Sequence, residues 1–159
     1  MDLLPLFENL EASPIGVFMK DKPATFAMVE AVHLLALAVM GGAVLATDLR
    51  LLNAVFRDVP SNTITDGCHR WFKAALFTLL ITGFFMLAGV ATKCYHNDYY
   101  WIKMTALAVG IVFVFAVRQP LLRRDHSQVA PLVLKLLALA SMSIWFLVAA
   151  SGRWIGYSG

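Results

Sequence analysis

The chain has 159 residues, of which 60% are hydrophobic and 14% are charged, and its net charge at neutral pH is +3. Its mean hydropathy of +0.73 lies outside the range of a soluble domain of this size, so the composition predicts a membrane protein. The Lys and Arg residues lie mostly beside apolar runs, which excludes a separate basic face of the kind that binds nucleic acid.

An N-terminal interfacial segment, residues 1–24, precedes the first long apolar run. It carries Asp2, Glu8 and Glu11 where a cleavable signal peptide would be basic, so we expect it to remain on the protein. Its apolar side chains recur at helical spacing, at Leu3, Leu4, Phe7 and Leu10. This spacing fits a short helix in the membrane interface and fits packing against the rest of the protein equally well.

Four apolar runs follow, and each is close to the roughly 20 residues that a helix needs to cross a bilayer. They occupy residues 25–46, 71–92, 100–117 and 131–150. The sequence therefore predicts an all-α fold, an integral membrane four-helix bundle that forms one domain over residues 25–159. An even number of crossings places both termini on the same side of the membrane.

The distribution of positive charge predicts which side that is. When the residues in the first turns of the adjoining runs are included, the side of the connectors 47–70 and 118–130 holds eight Lys and Arg residues, and the side of the termini holds five. The positive-inside rule therefore places both termini outside the cytoplasm. Cys68 and Cys94 then lie on opposite sides of the membrane, which excludes a disulfide between them.

His33 is the sharpest functional signal, because ionisable residues inside membrane helices are costly and usually functional. It lies about eight residues into the first run, roughly 12 Å below the end of the helix. A hydrogen bond to a neighbouring helix is the simpler explanation for a single histidine there. However, the connector after the second run brings His96 back to the same side, so the two imidazoles could share a metal.

Other residues near this side could hold a cofactor. Gly41 and Gly42 would let a flat porphyrin, or a neighbouring helix, approach the backbone of the first run. Arg153 and Trp154, just after the fourth run, could meet haem propionates or anchor the rim of the bundle.

Two further patterns carry less weight. Glu30 and His33 have the Glu-x-x-His spacing of di-iron bundles, but no second copy is found, so a di-iron site is not favoured. His69 and His126 belong to the connectors of the opposite side, where we expect them to be solvated.

The sequence resembles an uncharacterised bacterial family of small four-helix inner-membrane proteins over most of the chain from Ser13 onward. The likeness rests on Glu30-x-x-His33-Leu34-Leu35-Ala36-Leu37, Gly41-Gly42, Asp48-Leu49-Arg50-Leu51-Leu52, Tyr95-His96-Asn97 leading into Lys103, and Ser151-Gly152-Arg153. More distantly, the arrangement is similar to small b-type cytochromes and to copper-resistance membrane proteins. The resemblance implies a bacterial inner (cytoplasmic) membrane location, in which the charge distribution would make the termini periplasmic. It supports His33 and His96 and adds Lys103 to the cofactor-binding candidates Gly41, Arg153 and Trp154.

These observations lead to three hypotheses of function. The first is a non-catalytic electron-transfer or anchor subunit that binds one haem b near the periplasmic face through His33 and His96; no Cys-x-x-Cys-His motif is present, so the haem would be noncovalent. The second is a copper- or zinc-handling protein that adds Cys94, Glu30 or Met40 as ligands. The third is a metal-free scaffold subunit. The expected partners are membrane lipid and a protein of a membrane redox complex or a second copy of the chain, with quinone as a further candidate.

Overall fold

The computed structural model describes residues 3–59, 61–123 and 129–158, and these residues contain helices and no strands. Four helical segments are long and apolar enough to cross a membrane, at Pro23–Leu51, Thr63–Gly89, Asp98–Leu122 and Pro131–Ile155. The predicted all-α fold is confirmed. The protein is a multi-pass membrane protein with both termini on the same side.

The positions at which the helices begin follow from the local sequence. Proline stands in the first turn of several of them, where its missing N–H costs nothing, and the Asn97 side chain caps another by accepting from Tyr99 N at 3.0 Å. In chain order the helices are α1 (Leu4–Glu11), α2 (Pro14–Asp21), α3 (Pro23–Leu51), α4 (Ser61–Gly89), α5 (Ala91–Tyr95), α6 (Asp98–Val112), a π-helical turn (Phe113–Arg118), α7 (Gln119–Arg123) and α8 (Pro131–Ile155).

The long helices pack as two antiparallel pairs. Helix α3 contacts α4, α6 contacts α8, and α8 also contacts α3, which joins the pairs. Small residues such as Ala36, Ala75 and Ala106 let the backbones approach, while Phe72 and Trp145 fill the centre with rings 5.4 Å apart. We name the end of the bundle where α3 begins the His33 end, and the end where α3 finishes the Arg118 end.

Large apolar side chains cover the outside of the bundle. Phe146 is 75% exposed, Met28 is 70% exposed and Leu35 is 67% exposed, all within the long helices. A soluble protein would bury most such residues, whereas lipid accepts them without cost. The exposed apolar faces are therefore compatible with direct lipid contact.

The N-terminal segment forms two short helices that pack across the His33 end. Phe7 of α1 is buried against the rings of Tyr95, Tyr100 and Trp101, with centroids 5.3–6.0 Å apart. The Glu11 carboxylate accepts hydrogen bonds from the Thr92 N–H, at 2.8 Å, and from the Thr92 hydroxyl. The sequence left two placements open for the N-terminal segment, and in the structure this segment packs against the bundle.

Candidate functional site

His33 faces α4 from a half-buried position ten residues into α3, which is about 15 Å along the helix. Its Nδ1 lies 2.8 Å from Thr82 Oγ1. The Thr82 hydroxyl has a single proton and donates it to the Thr78 carbonyl at 2.7 Å. We therefore assign the proton of the His33 bond to Nδ1, which donates to Thr82 Oγ1. In the neutral imidazole this tautomer leaves an unprotonated lone pair on Nε2.

A glycine on α4 makes room for this ring. A Cβ built on Gly83 would lie 3.4 Å from His33 Cε1, in van der Waals contact with the imidazole. Any side chain larger than a methyl group would push the ring away from Thr82. Gly83 and Thr82 thus fix the position and the tautomer of His33 together.

Lys103 brings a positive charge to the same end of the bundle. It is half-buried on α6, and its Nζ would lie 3.4 Å from a Cβ built on Gly152 of α8. Its charge acts on His33 and on Cys94. Within residues 3–59, 61–123 and 129–158, the ammonium has no hydrogen bond or ion pair. Among these residues it is a cation without an anionic partner, and its charge acts on an oriented histidine.

The other residues predicted for this site lie at its rim. His96 is exposed after α5, with its ring 5.1 Å from that of Tyr95. Arg153 Nη2 donates to Tyr157 Oη at 2.7 Å. Trp154 is 53% exposed, with its indole 6.3 Å from the ring of Tyr99. The described contacts of these three residues are with rim neighbours, and those of His33 are with α4.

Gly41 and Gly42 face open space. A Cβ built on either residue would meet no atom of the described chain within 4 Å. Close packing against another helix of this chain is therefore not their role. The surface beside them is free for lipid, for a flat ligand or for a second chain.

The ligands of the copper or zinc alternative do not gather around His33. Cys94 is buried beside Phe7 and Tyr100, and burial raises the pKa of its thiol, which disfavours the metal-binding thiolate. Met40 is 2% exposed in the central core, and Glu30 is exposed. In the described part of the chain, no three His, Cys, Asp or Glu side chains are close enough to hold a metal ion together. A haem needs only one or two protein ligands, so haem binding does not require such a cluster of three side chains.

A second polar site, which was not predicted from the sequence, lies at the Arg118 end. Asp48 of α3 is completely buried and pairs with Arg118, with 2.6 Å between Oδ1 and Nη2. Ser141 of α8 lies beside the carboxylate. Asp48 Oδ2, Arg118 Nε and Ser141 Oγ nevertheless lack a hydrogen-bond partner of regular geometry. Arg118 closes the π-helical turn, a feature that often marks functional positions.

A cavity of about 230 Å³ adjoins this ion pair, lined by Thr65, Asp66, His69, Val114, Arg118, Gln119 and Leu122. Gln119 Nε2 donates to His69 Nε2 at 2.8 Å. His69 was expected on a solvated connector, but it is half-buried on α4 and stacks on Phe72. His126 lies outside the described residues.

The spacing Asp66-x-x-His69 repeats that of Glu30 and His33 with the shorter acid. It places both side chains on one face of a helix. This repeat is the sequence signal that could have drawn attention to the Arg118 end. Its two residues lie in α4, before residue 71, where the second span was predicted to begin.

Comparison with known proteins assigns a family and no activity. No curated protein and no solved structure matched the chain. A family of unknown function, DUF6644, matches it over residues 6–158, which covers both ends of the bundle and the N-terminal helices. The chain therefore belongs to the DUF6644 family.

Proposed function

We propose that this protein is a bacterial inner-membrane haem b protein that transfers electrons, with His33 as an axial ligand of the iron. The observation that carries the proposal is the hydrogen bond from His33 Nδ1 to Thr82 Oγ1. Histidines that bind metals commonly donate their second ring N–H in this way, which orients the ring and makes the free nitrogen more basic. His33 Nε2 has that free lone pair inside a membrane helix.

Lys103 supports an anionic cofactor in the same place. Its ammonium is half-buried near His33 without an anionic partner among the described residues. A haem propionate would supply the missing negative charge and a charge-assisted hydrogen bond. Arg153 at the rim is a second cation for the other propionate. Gly41 borders open space on the same helix as His33.

His96 is the proposed second axial ligand. It lies at the same end as His33, but its ring rests on Tyr95 and would have to turn away to reach an iron. A bound haem would supply a one-electron iron couple. If both His33 and His96 held the haem, no open position would remain for oxygen, which favours electron transfer over catalysis. A redox protein in the same membrane is the partner that this function requires.

A visible spectrum of the purified protein in detergent tests the proposal. We expect a Soret band and sharp α and β bands after reduction. His33→Ala should abolish these bands, and His96→Ala should convert the iron to a five-coordinate form with weaker binding. His69→Ala is the matched control, because His69 lies at the opposite end, and its spectrum should equal that of the parent.

Thr82→Val directly tests the hydrogen bond from His33 Nδ1 to Thr82 Oγ1. Valine has the shape of threonine but cannot accept the His33 proton, and loss of such a partner typically lowers metal affinity about 10–100-fold. Thr78→Val is the control, since Thr78 contributes only its carbonyl to the network and its own hydroxyl donates to Ala74 O. A protein that binds no haem when it is supplied in excess would leave His33 as a helix-packing residue and favour the scaffold hypothesis.

A further inference from the structure

We infer that the cavity at the Arg118 end is a binding site for the headgroup of a quinone, a neutral lipid-soluble ring with two carbonyl acceptors. This site is independent of the proposed haem function, because it lies at the opposite end of the bundle from His33.

Hydrogen-bond donors line the cavity. Arg118 lines it and is 8% exposed, whereas its Nε–H, which has no partner in the described chain, is enclosed by protein. Gln119 supplies an amide whose Nε2 donates one N–H to His69 and keeps a second. An acceptor oxygen of a ligand in the cavity would be hydrogen-bonded by these groups.

The charge of the described residues around the cavity disfavours an anionic ligand. The positive charge of Arg118 is already compensated by Asp48 at 2.6 Å. His69 Nε2 accepts a hydrogen bond from Gln119 Nε2, and Asp66 adds a negative charge at the exposed edge. Among the described lining residues, a phosphate or carboxylate would therefore meet no excess positive charge. A cation has no acceptor oxygen to offer to Arg118 and Gln119, so a neutral carbonyl oxygen fits best.

The depth and size of the cavity indicate a membrane-soluble ligand. Arg118 lies four residues before the end of the third membrane span and His69 lies six residues after the start of the second, which is about 6 Å and about 9 Å along the helices. At this depth a ligand can keep its polar ring in the protein and its tail in lipid. The volume of about 230 Å³ is below that of sites for whole drug-sized ligands, so it suits a single ring.

The experiment is a calorimetric titration of the full-length protein in phosphatidylcholine nanodiscs with decyl-benzoquinone, after subtraction of the heat from empty nanodiscs. We expect saturable binding with one site per chain. Gln119→Met keeps the length of the side chain but removes the amide, and it should weaken binding about tenfold. Thr105→Leu, a polar-to-apolar change on the lipid-facing part of α6, is the matched control and should leave binding unchanged.

A second variant separates the quinone from an anionic lipid headgroup. Asp66→Asn removes the negative charge at the edge, so it should change quinone affinity by less than about twofold, whereas it would strengthen binding of an anion. Apparent melting temperatures verify that each variant is folded. The inference is overturned if the parent shows no saturable quinone binding, if Gln119→Met binds like the parent, or if phosphatidic acid binds in place of quinone and Asp66→Asn tightens it. Haem content has no bearing on these outcomes.

Discussion

Glu11 is the residue that ties the N-terminal helices to the bundle. Its Oε1 accepts from Lys20 Nζ at 2.8 Å, and its Oε2 accepts from the backbone and the hydroxyl of Thr92. Thr92 stands in the first turn of α5, where backbone N–H groups have no partner in their own helix. The carboxylate therefore caps a helix that lies 81 residues further along the chain.

This cap predicts an acid-sensitive attachment. The hydrogen bond from Lys20 and then those from Thr92 lower the pKa of Glu11 to about 2. A carboxyl group whose pKa is lowered by folding stabilises the folded state above its unfolded pKa. That stabilisation is lost as the pH falls from about 4.5 towards 2. Tryptophan emission should shift to the red over this range as Phe7 leaves Trp101, and the shift should be absent from the titration of Glu11→Gln. Glu8→Gln, an exposed change on the same helix, should titrate like the parent.

The buried pair of Asp48 and Arg118 gives a second prediction about single residues. Asp48→Asn leaves Arg118 buried without a counter-charge, and the loss of one partner of such a pair costs about 3–5 kcal/mol. For a chain of this size, the apparent melting temperature should fall by about 10 °C. The combined change Asp48→Leu and Arg118→Met should recover most of that loss, since two apolar side chains of similar size leave no charge buried. A double variant as unstable as Asp48→Asn would contradict this account.

The two polar sites differ in how far the sequence predicts them. His33 stands alone inside an apolar run, so its depth in the membrane is readable from position alone. Asp48 and Arg118 lie at the ends of their runs, 70 residues apart, where charged residues usually flank the membrane. Their pairing depends on how three helices pack. The bond from His33 to Thr82 likewise required the relative rotation of α3 and α4.

The long helices were predicted in number and order, and less well at their ends. The first and third spans reach Leu51 and Leu122, several residues beyond the predicted 46 and 117, because Asp48 and Arg118 compensate each other inside the protein. The second span begins at Thr63, not at residue 71, and ends at Gly89, after which α5 starts anew. Hydropathy locates apolar runs, whereas helices continue into polar sequence wherever side chains find partners.

The π-helical turn predicts a specific effect of a one-residue deletion. It holds one more residue per turn than an α-helix, so removing exposed Ala116 should let a regular α-helix continue with Arg118 still turned towards Asp48. The apparent melting temperature should therefore fall much less than in Asp48→Asn. A fall as large as that of Asp48→Asn would show that the extra residue is needed to bring Arg118 to Asp48. Ala116→Leu keeps the residue count and should behave like the parent.

The packing of α2 against its neighbours depends on Gly16. A Cβ on Gly16 would lie 2.7 Å from Leu10 O, 2.8 Å from Ala88 O and closer still to Glu11 O, and none of these backbone atoms can move alone. Gly16→Ala should therefore loosen the N-terminal helices at a cost of about 1–3 kcal/mol. Hydrogen exchange of the peptide that contains Thr92 should become faster, because its N–H loses Glu11. Gly67→Ala, where a Cβ meets open space, is the control and should leave that exchange unchanged.

At the scale of the whole molecule, the four spans fix that both termini share a side, and the charge distribution predicts that this side is the periplasm. The eight-to-five division of Lys and Arg is modest, and Lys20 and Lys22 beside the first span oppose it. We expect a C-terminal alkaline phosphatase fusion to be active and a C-terminal green fluorescent protein fusion to be dark. The opposite pattern would place the His33 end on the cytoplasmic side, and the proposed redox partner would then have to act from that side as well.

The attachment of Glu11 to Thr92 also sets an order for assembly. Residues 4–11 of α1 are synthesised before the groups that hold them, Thr92 and the ring cluster around Phe7, which are made only after the second span is complete. Until then α1 has no place to dock. A segment made early in synthesis is therefore among the last to reach its final position, and a chain that stops before α5 is made would leave α1 without this attachment.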